Sequence, residues 1–340
     1  MARATAIAAA ALLLAACAQE PQRPAESRPA TIFAPAETGP LLARDAQFVV
    51  VVPRQGEDLA ALAERYLGDR PRRFEIAEFN RIDEARPGRA VAIPVTPLNP
   101  GGVEPATVQT VPILCYHRFG TRANNLTVTP QAFEAQMRYL RENGYAVVPM
   151  TRLVDFLEGK TALPRKSVVI TIYDGYRSTY EIAWPILKRY GLPATVYLYT
   201  DFVGAGDALT YPQMKELIAS GLVEIQPHSK THSNLTLRLS DESDAKYRDR
   251  LRREVDAPVE IIRDRLALPS RAYAYPYGDV NETVVDMLSR KGVTLGFTVT
   301  PGANAFFAYP YMLRRSMIFG NEDLDTFKAK LQTFVRTAGR

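Results

Sequence analysis

The chain has 340 residues, of which 46% are hydrophobic, 9% aromatic and 23% charged. This composition is ordinary for a globular protein and excludes a collagen-like fibre, wholesale disorder and a polytopic membrane protein. The net charge of +5 is too mild for a dedicated nucleic-acid surface, so we expect no nucleic acid as a partner.

The first residues have the pattern of a bacterial export signal. Arg3 precedes an apolar run over 4–16 that is too short to span a bilayer, and the tetrapeptide that ends at Cys17 resembles a lipobox. The resemblance implies cleavage after a signal peptide of residues 1–16 and lipidation of Cys17. The expected location is the outer membrane, facing the periplasm. The alternative is an ordinary secretory signal. If Cys17 carries lipid, Cys115 has no disulfide partner.

A proline-rich tether over 17–46 precedes a small module over 47–95. The module's pattern is a strand at 48–52, two short amphipathic helices, and a strand at 90–94. This order resembles a LysM module, a small α+β fold that binds N-acetylglucosamine-containing glycans. The residues that carry the resemblance are Val50, Gly56 to Leu59, Asn80, and Pro87 to Pro94. The alternative is a small packing domain without a ligand.

A linker over 96–110 leads to a region, 111–340, in which strand patterns alternate with amphipathic helices. The predicted strands are 111–116, 145–149, 167–173, 194–199, 222–226, 271–275, 294–299 and 316–319. The predicted helices are 130–142, 177–190, 211–220, 241–267, 280–291 and 323–337. Such alternation predicts an α/β fold with parallel strands and crossover helices, and we expect a deformed (β/α) barrel rather than an open sheet.

Two of the three histidines, His228 and His232, are four residues apart. Four residues make about one helical turn, so both imidazoles can face one divalent ion. Asp174 follows the predicted strand 167–173, and the histidines follow the strand 222–226. The carboxyl ends of parallel strands form the functional rim of such folds, so we expect one metal site there.

The chain resembles the NodB-homology polysaccharide deacetylases over about 110–335. The segments that carry the resemblance are Thr171-Ile-Tyr-Asp-Gly175, His228-Ser-Lys-Thr-His232, Ala274-Tyr-Pro-Tyr-Gly278, Pro112-Ile-Leu-Cys-Tyr-His117 and Tyr190-Gly-Leu-Pro-Ala-Thr195. The resemblance implies a distorted (β/α) barrel whose metal site removes acetyl groups from N-acetylhexosamine residues of a polymer, either peptidoglycan or an exopolysaccharide.

The resemblance also implies roles for individual residues. Asp174, His228 and His232 would hold a divalent metal, Zn²⁺ first and Co²⁺, Ni²⁺ or Fe²⁺ as alternatives. The backbone N–H of Tyr277 would stabilise the oxyanion. The residues expected to line the substrate cleft are His117, Tyr211, Tyr275, Pro276 and Arg315, although a structural role explains each of them as well.

One departure from the family pattern concerns the proton acceptor. The family places an aspartate, the general base, where this chain has Tyr173. A phenol with a pKa near 10 deprotonates water poorly at neutral pH, and general-base catalysis contributes about 10²–10⁴-fold. Two hypotheses follow. The protein is a metal-dependent deacetylase impaired by Tyr173, or it is a glycan-binding pseudoenzyme. A non-haem iron oxygenase shares the ligand set but not the expected fold.

Overall fold

The structure, a computed structural model, describes residues 39–337. Its first part is a three-stranded antiparallel sheet with two helices on it. The elements are β1 (Leu41–Arg44), β2 (Phe48–Val51), α1 (Leu59–Leu67), α2 (Arg73–Asn80) and β3 (Val91–Pro94). The lipidation site Cys17, the signal peptide and most of the tether lie outside the described residues.

Local sequence explains why this small unit folds. The Asp58 side chain caps α1, and Gly68 ends it in the left-handed conformation with a φ of 72°. The Asn80 side chain bonds both backbone groups of Ala92, at 2.6 and 2.9 Å, and so ties α2 to β3. The predicted strands at 48–52 and 90–94 are confirmed as β2 and β3, which pair with each other.

The second part alternates strands and helices. The strands are β4 (Thr107–Gln109), β5 (Val111–Tyr116), β6 (Arg118–Phe119), β7 (Thr127–Val128), β8 (Ala146–Val147), β9 (Ser167–Ile172), β10 (Ala194–Leu198), β11 (Val223–Pro227), β12 (Ala272–Ala274), β13 (Leu295–Phe297), β14 (Ala303–Asn304), β15 (Ser316–Met317) and β16 (Phe334–Arg336). The helices are α3 (Pro130–Glu142), α4 (Met150–Leu157), α5 (Trp184–Tyr190), α6 (Tyr211–Ala219), α7 (Asp244–Leu251), α8 (Ala257–Leu266), α9 (Glu282–Arg290) and α10 (Leu324–Ala329). The eight predicted strands are therefore all present, most of them shorter.

A parallel sheet organises this part. Strands β11, β10, β9 and β5 are neighbours in that order, and β15 also pairs with β5 in parallel. All six residues of β9 are buried, because helices cover the sheet on one face and other core side chains cover the second. The α/β class is thus observed.

The hydrogen-bonded strands do not close into a barrel within residues 39–337, so the barrel prediction is not confirmed. Strands β12 and β13 form a separate pair. Between β11 and β12, the side chain of Gln226 accepts hydrogen bonds from the backbone N–H groups of Arg271 and Ala272, at 3.0 and 3.2 Å. The Gln226 side chain takes the place of backbone pairing there, so β11 and β12 are not hydrogen-bonded to each other as strands of one sheet.

Two helix predictions need correction. The predicted helix 323–337 ends at Ala329, because Phe334–Arg336 pairs with the distant strand Thr107–Gln109 instead. The predicted helix 241–267 is continuous over most of its length but contains a π-helical turn, Arg252–Asp256, between α7 and α8. Helix α4 was not predicted.

The topology brings the carboxyl ends of β5, β9, β11 and β12 to one rim. The first part of the chain contacts the other end of β9, where the backbone N–H of Arg165 donates to Glu78 at 3.4 Å. A further ion pair joins Asp69 to Arg152 at 2.7 Å. Over the described part of the chain, no helix is long and apolar enough to cross a membrane.

Candidate metal centre

Three ligand side chains converge at the rim. Asp174 comes two residues after β9, and His228 and His232 follow β11. The Nε2 atoms of His228 and His232 lie 3.7 and 3.6 Å from Oδ1 of Asp174. One ligand atom from each residue lies within 4.8 Å of the other two. The three side chains that the sequence singles out are therefore brought together around one point.

The imidazole of His228 is fixed by its backbone surroundings. Its Nδ1 is 2.8 Å from the carbonyl oxygen of Ala274, on β12. A carbonyl only accepts, so Nδ1 carries the proton and Nε2 keeps its lone pair toward Asp174. Burial lowers the pKa of His228 well below its ordinary value, with the nearby His232 adding to the effect. The ring is thus neutral at physiological pH, as a metal ligand must be.

A loop, and not the predicted helical turn, brings the two histidine side chains together. Residues 228–232 are irregular, and both Ser229 and His232 have left-handed backbone conformations, with φ of 75° and 63°. The Ser229 hydroxyl accepts a hydrogen bond from the backbone N–H of His232 at 2.8 Å. Left-handed conformations are costly for residues other than glycine, and such strain clusters at functional sites.

Asp174 and Tyr277 share this strained backbone. Their φ values are 70° and 61°, so four of the seven such residues within 39–337 lie at this site. Gly175 follows Asp174 with a φ of 82°, and a Cβ there would lie 2.8 Å from Cβ of Leu198. Only glycine at position 175 therefore allows the turn by which the chain leaves β9 at Asp174. Burial raises the pKa of the Asp174 carboxyl, an effect opposed by the charge of His232.

The donor set fits a divalent ion. Two imidazole nitrogens and one carboxylate oxygen are the ligands of many catalytic zinc sites, in which a further position stays open for water or substrate. The ring of Tyr277 lies 5.1 Å from that of His232 and is 59% exposed, so Tyr277 borders the site on its open side.

Tyr173, at the position of the expected general base, points into the core. Its ring is fully buried and stacks on Tyr197 with centroids 5.1 Å apart and an interplanar angle of 13°. Burial raises the pKa of its phenol above the ordinary value, against the opposing charge of Arg315. The hydroxyl has no partner with hydrogen-bond geometry within the described residues. Tyr173 is therefore unsuited to take a proton from water.

Arg315 lies against the Tyr173 ring. Its guanidinium carbon is 4.3 Å from the ring centroid, and the residue is 3% exposed. Its Nε donates to the carbonyl oxygen of Thr298, and Nη1 lies 3.7 Å from Sγ of Cys115. No carboxylate within residues 39–337 forms an ion pair with it. A buried cation without a carboxylate in direct contact is costly, and the charge of Arg315 acts instead on the carboxyl of Asp174, where it opposes the rise in pKa that burial causes.

The predicted cleft residues divide into two groups. His117 lies at the site, with its ring 5.5 Å from that of Tyr173, and its buried Nδ1 has no partner among the described residues. Burial, with the charges of Arg315 and His232, lowers the pKa of His117 to about 4. This histidine is accordingly neutral at physiological pH.

Two of the remaining cleft predictions need correction. Tyr275 is fully buried and donates its hydroxyl to the carbonyl oxygen of Tyr311 at 3.0 Å, and Pro276 is buried too, so neither offers a surface to a sugar. Tyr211 packs against the hydrophobic core under Arg265. The predictions for Tyr275 and Pro276 are therefore wrong, whereas Tyr211 is half-buried and its place in the cleft stays a prediction.

The sequence did not predict a group of aromatic side chains beside His232, one of the three residues of the triad Asp174, His228 and His232. Tyr199 lies 5.4 Å from His232, ring to ring, and stacks on Phe202. Tyr176 contacts Phe202 at 5.5 Å and lies under Arg118 at 4.1 Å. Tyr199 directly follows β10, so the rule that located Asp174, a residue just beyond the carboxyl end of a parallel strand, also identifies it.

Comparison with known proteins agrees with this geometry. Residues 160–296 match the polysaccharide deacetylase family model. The YxkH protein of Bacillus subtilis is 28% identical over 223 residues, which cover 66% of this chain and 76% of that protein. The poly-beta-1,6-N-acetyl-D-glucosamine N-deacetylase of Escherichia coli strain K12 is 28% identical over 243 residues, which cover 61% of this chain but only 36% of that protein.

A solved structure gives the same result in three dimensions. The Streptococcus pyogenes deacetylase PplD, in complex with acetate, superposes with a TM-score of 0.59 at 25% identity, covering 66% of this chain and 98% of that one. These matches support a polysaccharide deacetylase domain of the NodB type in this chain. They also support a hydrolase of the polysaccharide N-deacetylase class.

Proposed function

We propose that the domain removes N-acetyl groups from a polysaccharide containing N-acetylglucosamine, using a divalent ion held by Asp174, His228 and His232. The observation that carries the proposal is the convergence of these three ligand atoms within 4.8 Å at the carboxyl rim of the sheet. The name of the Escherichia coli relative favours a poly-β-1,6-N-acetylglucosamine exopolysaccharide over peptidoglycan. Zn²⁺ is the first choice of ion because two imidazoles and one carboxylate suit it.

An ion in this site would polarise the acetamide carbonyl and acidify water at neutral pH. The side chains of the domain then orient the ligands and exclude water. His228 presents Nε2 because Ala274 holds its other nitrogen, at 2.8 Å. The backbone N–H of Tyr277, next to His232 at the open side of the site, is proposed to donate to the developing oxyanion.

Proton transfer is the weak step of the proposed reaction. The buried phenol of Tyr173 has a raised pKa and is a poor base. His117, whose ring lies 5.5 Å from that of Tyr173, has its pKa lowered to about 4 by burial and is neutral at physiological pH. We therefore propose slow turnover, limited by the missing carboxylate at position 173.

Replacement of Tyr173 tests this proposal. Tyr173→Asp is expected to raise acetate release from poly-β-1,6-N-acetylglucosamine oligomers by about 10²-fold or more, because a carboxylate restores a general base. Tyr173→Asn is the control for the cavity that loss of the ring leaves, because asparagine has nearly the volume of aspartate but no charge. Such a cavity in a core lowers the free energy of unfolding by about 3–5 kcal/mol. Tyr173→Phe, which only removes the hydroxyl, is expected to leave the rate unchanged.

The outcomes are distinguishable. Acetate release above background by the wild type supports an enzyme, and a Tyr173→Asp rate equal to the Tyr173→Asn rate would reject the missing carboxylate as the defect. If wild type and Tyr173→Asp both bind Zn²⁺ but release no acetate, the glycan-binding pseudoenzyme becomes the better account. Circular dichroism of each variant verifies that it is folded.

We also propose that the module at 47–95 binds the same kind of glycan. Its support is the strand-helix-helix-strand order and a cavity of about 270 Å³ between residues 56–60, at the start of α1, and the loop at 83–87. Asp83→Arg, which fills this cavity, is expected to weaken binding of the full chain to insoluble chitin at least 5-fold, with EDTA present to silence the metal centre. Glu64→Arg, the same charge change on an exposed part of α1, is the control, and equal binding by both variants would reject the module's role.

The anchor remains a proposal of the same kind. The lipobox-like tetrapeptide before the tether supports lipidation of Cys17 and attachment to the envelope of a bacterium, at the outer membrane. Membrane fractionation of wild type and Cys17→Ala tests it, because a soluble wild type would contradict the anchor.

A further inference from the structure

Glu254 is a buried carboxylate that the proposed chemistry does not use. It lies in the π-helical turn Arg252–Asp256 between α7 and α8 and is 5% exposed. Within residues 39–337 it forms no ion pair. π-helical turns inside longer helices occur frequently at functional sites, and a buried carboxylate must be satisfied by hydrogen-bond donors.

The donors come from the middle of the histidine loop. Oε2 of Glu254 accepts hydrogen bonds from the backbone N–H groups of Lys230 and Thr231, at 3.1 and 3.0 Å. Oε1 accepts from the Thr231 hydroxyl at 2.8 Å. One carboxylate thus binds two successive peptide groups that lie between His228 and His232. Hydrogen bonds to a charged acceptor are about twice as strong as those between neutral groups.

These bonds restrain the strained half of the loop. His228 is held independently by the Ala274 carbonyl. His232, with a φ of 63°, has one direct restraint on its backbone, the Ser229 hydroxyl, which itself belongs to the loop. The backbone N–H groups of Thr200 and Asp201 also donate to the carbonyl oxygens of Ser229 and Lys230, at 3.2 and 3.0 Å. The carboxylate of Glu254 adds the connection of this segment to the α7–α8 helix.

We propose that Glu254 is a positioning residue for the metal centre, which fixes the peptide groups of Lys230 and Thr231 so that His232 faces Asp174. This inference rests on the proposed function in one respect, because it takes the triad to bind a divalent ion. It predicts that loss of Glu254 weakens metal binding through His232 while His228 keeps its orientation.

The experiment measures Zn²⁺ affinity of the purified chain by competition with a chelator, and the visible absorption spectrum with Co²⁺. Glu254→Ala is expected to lower Zn²⁺ affinity at least 10-fold and to alter the Co²⁺ spectrum. Glu254→Gln is expected to stay within about 3-fold of wild type. Its amide oxygen can accept both backbone N–H groups, and its NH₂ group can donate to the Thr231 hydroxyl. Thr231→Val loses one hydrogen bond to Glu254, and its Zn²⁺ affinity is expected to lie between those of Glu254→Ala and Glu254→Gln.

Glu260→Ala is the matched control, because Glu260 lies in α8, half exposed, and pairs with Lys291 instead. Equal Zn²⁺ affinity of folded Glu254→Ala and wild type would overturn this inference alone. If Glu254→Ala does not fold, Thr231→Val decides, and wild-type affinity in that variant overturns the inference. Absence of Zn²⁺ binding by the wild type overturns the proposed function and this inference with it.

Discussion

On the metal side of the site, formed by Asp174, His228 and His232, each ligand has its own restraint. Gly175 allows the turn at Asp174, Ala274 holds His228, and the loop bonds hold His232. The base side, formed by Tyr173, His117 and Arg315, consists of a buried ring, an imidazole nitrogen without a partner and a cation without an ion pair, as far as residues 39–337 show.

This difference separates two requirements of the chemistry. In the proposed reaction, metal binding needs three donors in a fixed geometry, and the metal side offers three ligand atoms on strained, hydrogen-bonded backbone. In the same proposed reaction, proton transfer needs a base of suitable pKa, and the phenol at position 173 is a poor one. The guanidinium of Arg315 lies 4.3 Å from the centre of the Tyr173 ring, close enough to stabilise a carboxylate introduced at position 173.

The largest expected effect is the coupling between position 173 and Arg315. In the Tyr173→Asp background, Arg315→Met is expected to lower the free energy of unfolding by about 3 kcal/mol more than in the Tyr173→Asn background, because it leaves a buried carboxylate without its counter-ion. Aspartate and asparagine leave cavities of the same size, so the cavity cost cancels in this comparison. Urea unfolding at pH 8 measures both differences. If Arg315→Met lowers the free energy of unfolding equally in the two backgrounds, Arg315 does not interact with the charge at position 173.

The sequence predicts the metal side better than the base side, for a physical reason. Strand β9 is buried on both faces and reads as a continuous run of β-formers, so the position of Asp174 at its carboxyl end follows from local pattern. The histidine pair was predicted correctly as a pair but for the wrong reason, since two left-handed residues, Ser229 and His232, bring the rings together without a helix.

Features that depend on distant partners are the ones local pattern does not reveal. The strand Phe334–Arg336 was predicted as helix because its pairing partner, Thr107–Gln109, lies more than two hundred residues earlier in the chain. Glu254 gave no signal of its own, since its three donors belong to a loop that is remote in sequence. The burial of Tyr275 likewise follows from neighbours contributed by other elements, such as Tyr311.

The smallest expected effect compares two fully buried side chains, one on each side of the site. Ser229→Ala removes the acceptor of the His232 backbone N–H, a bond of 2.8 Å, whereas Cys115→Ala removes the sulfur 3.7 Å from Nη1 of Arg315. Leaving the N–H of His232 without this partner costs about 1 kcal/mol, so Ser229→Ala is expected to raise the Kd for Zn²⁺ about 5-fold.

Cys115→Ala is expected to leave the Kd for Zn²⁺ unchanged, because Cys115 contacts only the base side. Burial raises the pKa of its thiol to about 12, so the side chain is neutral and its removal does not alter the charge near the metal ligands. Its loss is therefore expected to appear in the free energy of unfolding alone, at about 1 kcal/mol. A similar change of Zn²⁺ affinity in both variants would mean that the two sides form one coupled unit, and the slow step could then not be assigned to position 173 separately from the metal site.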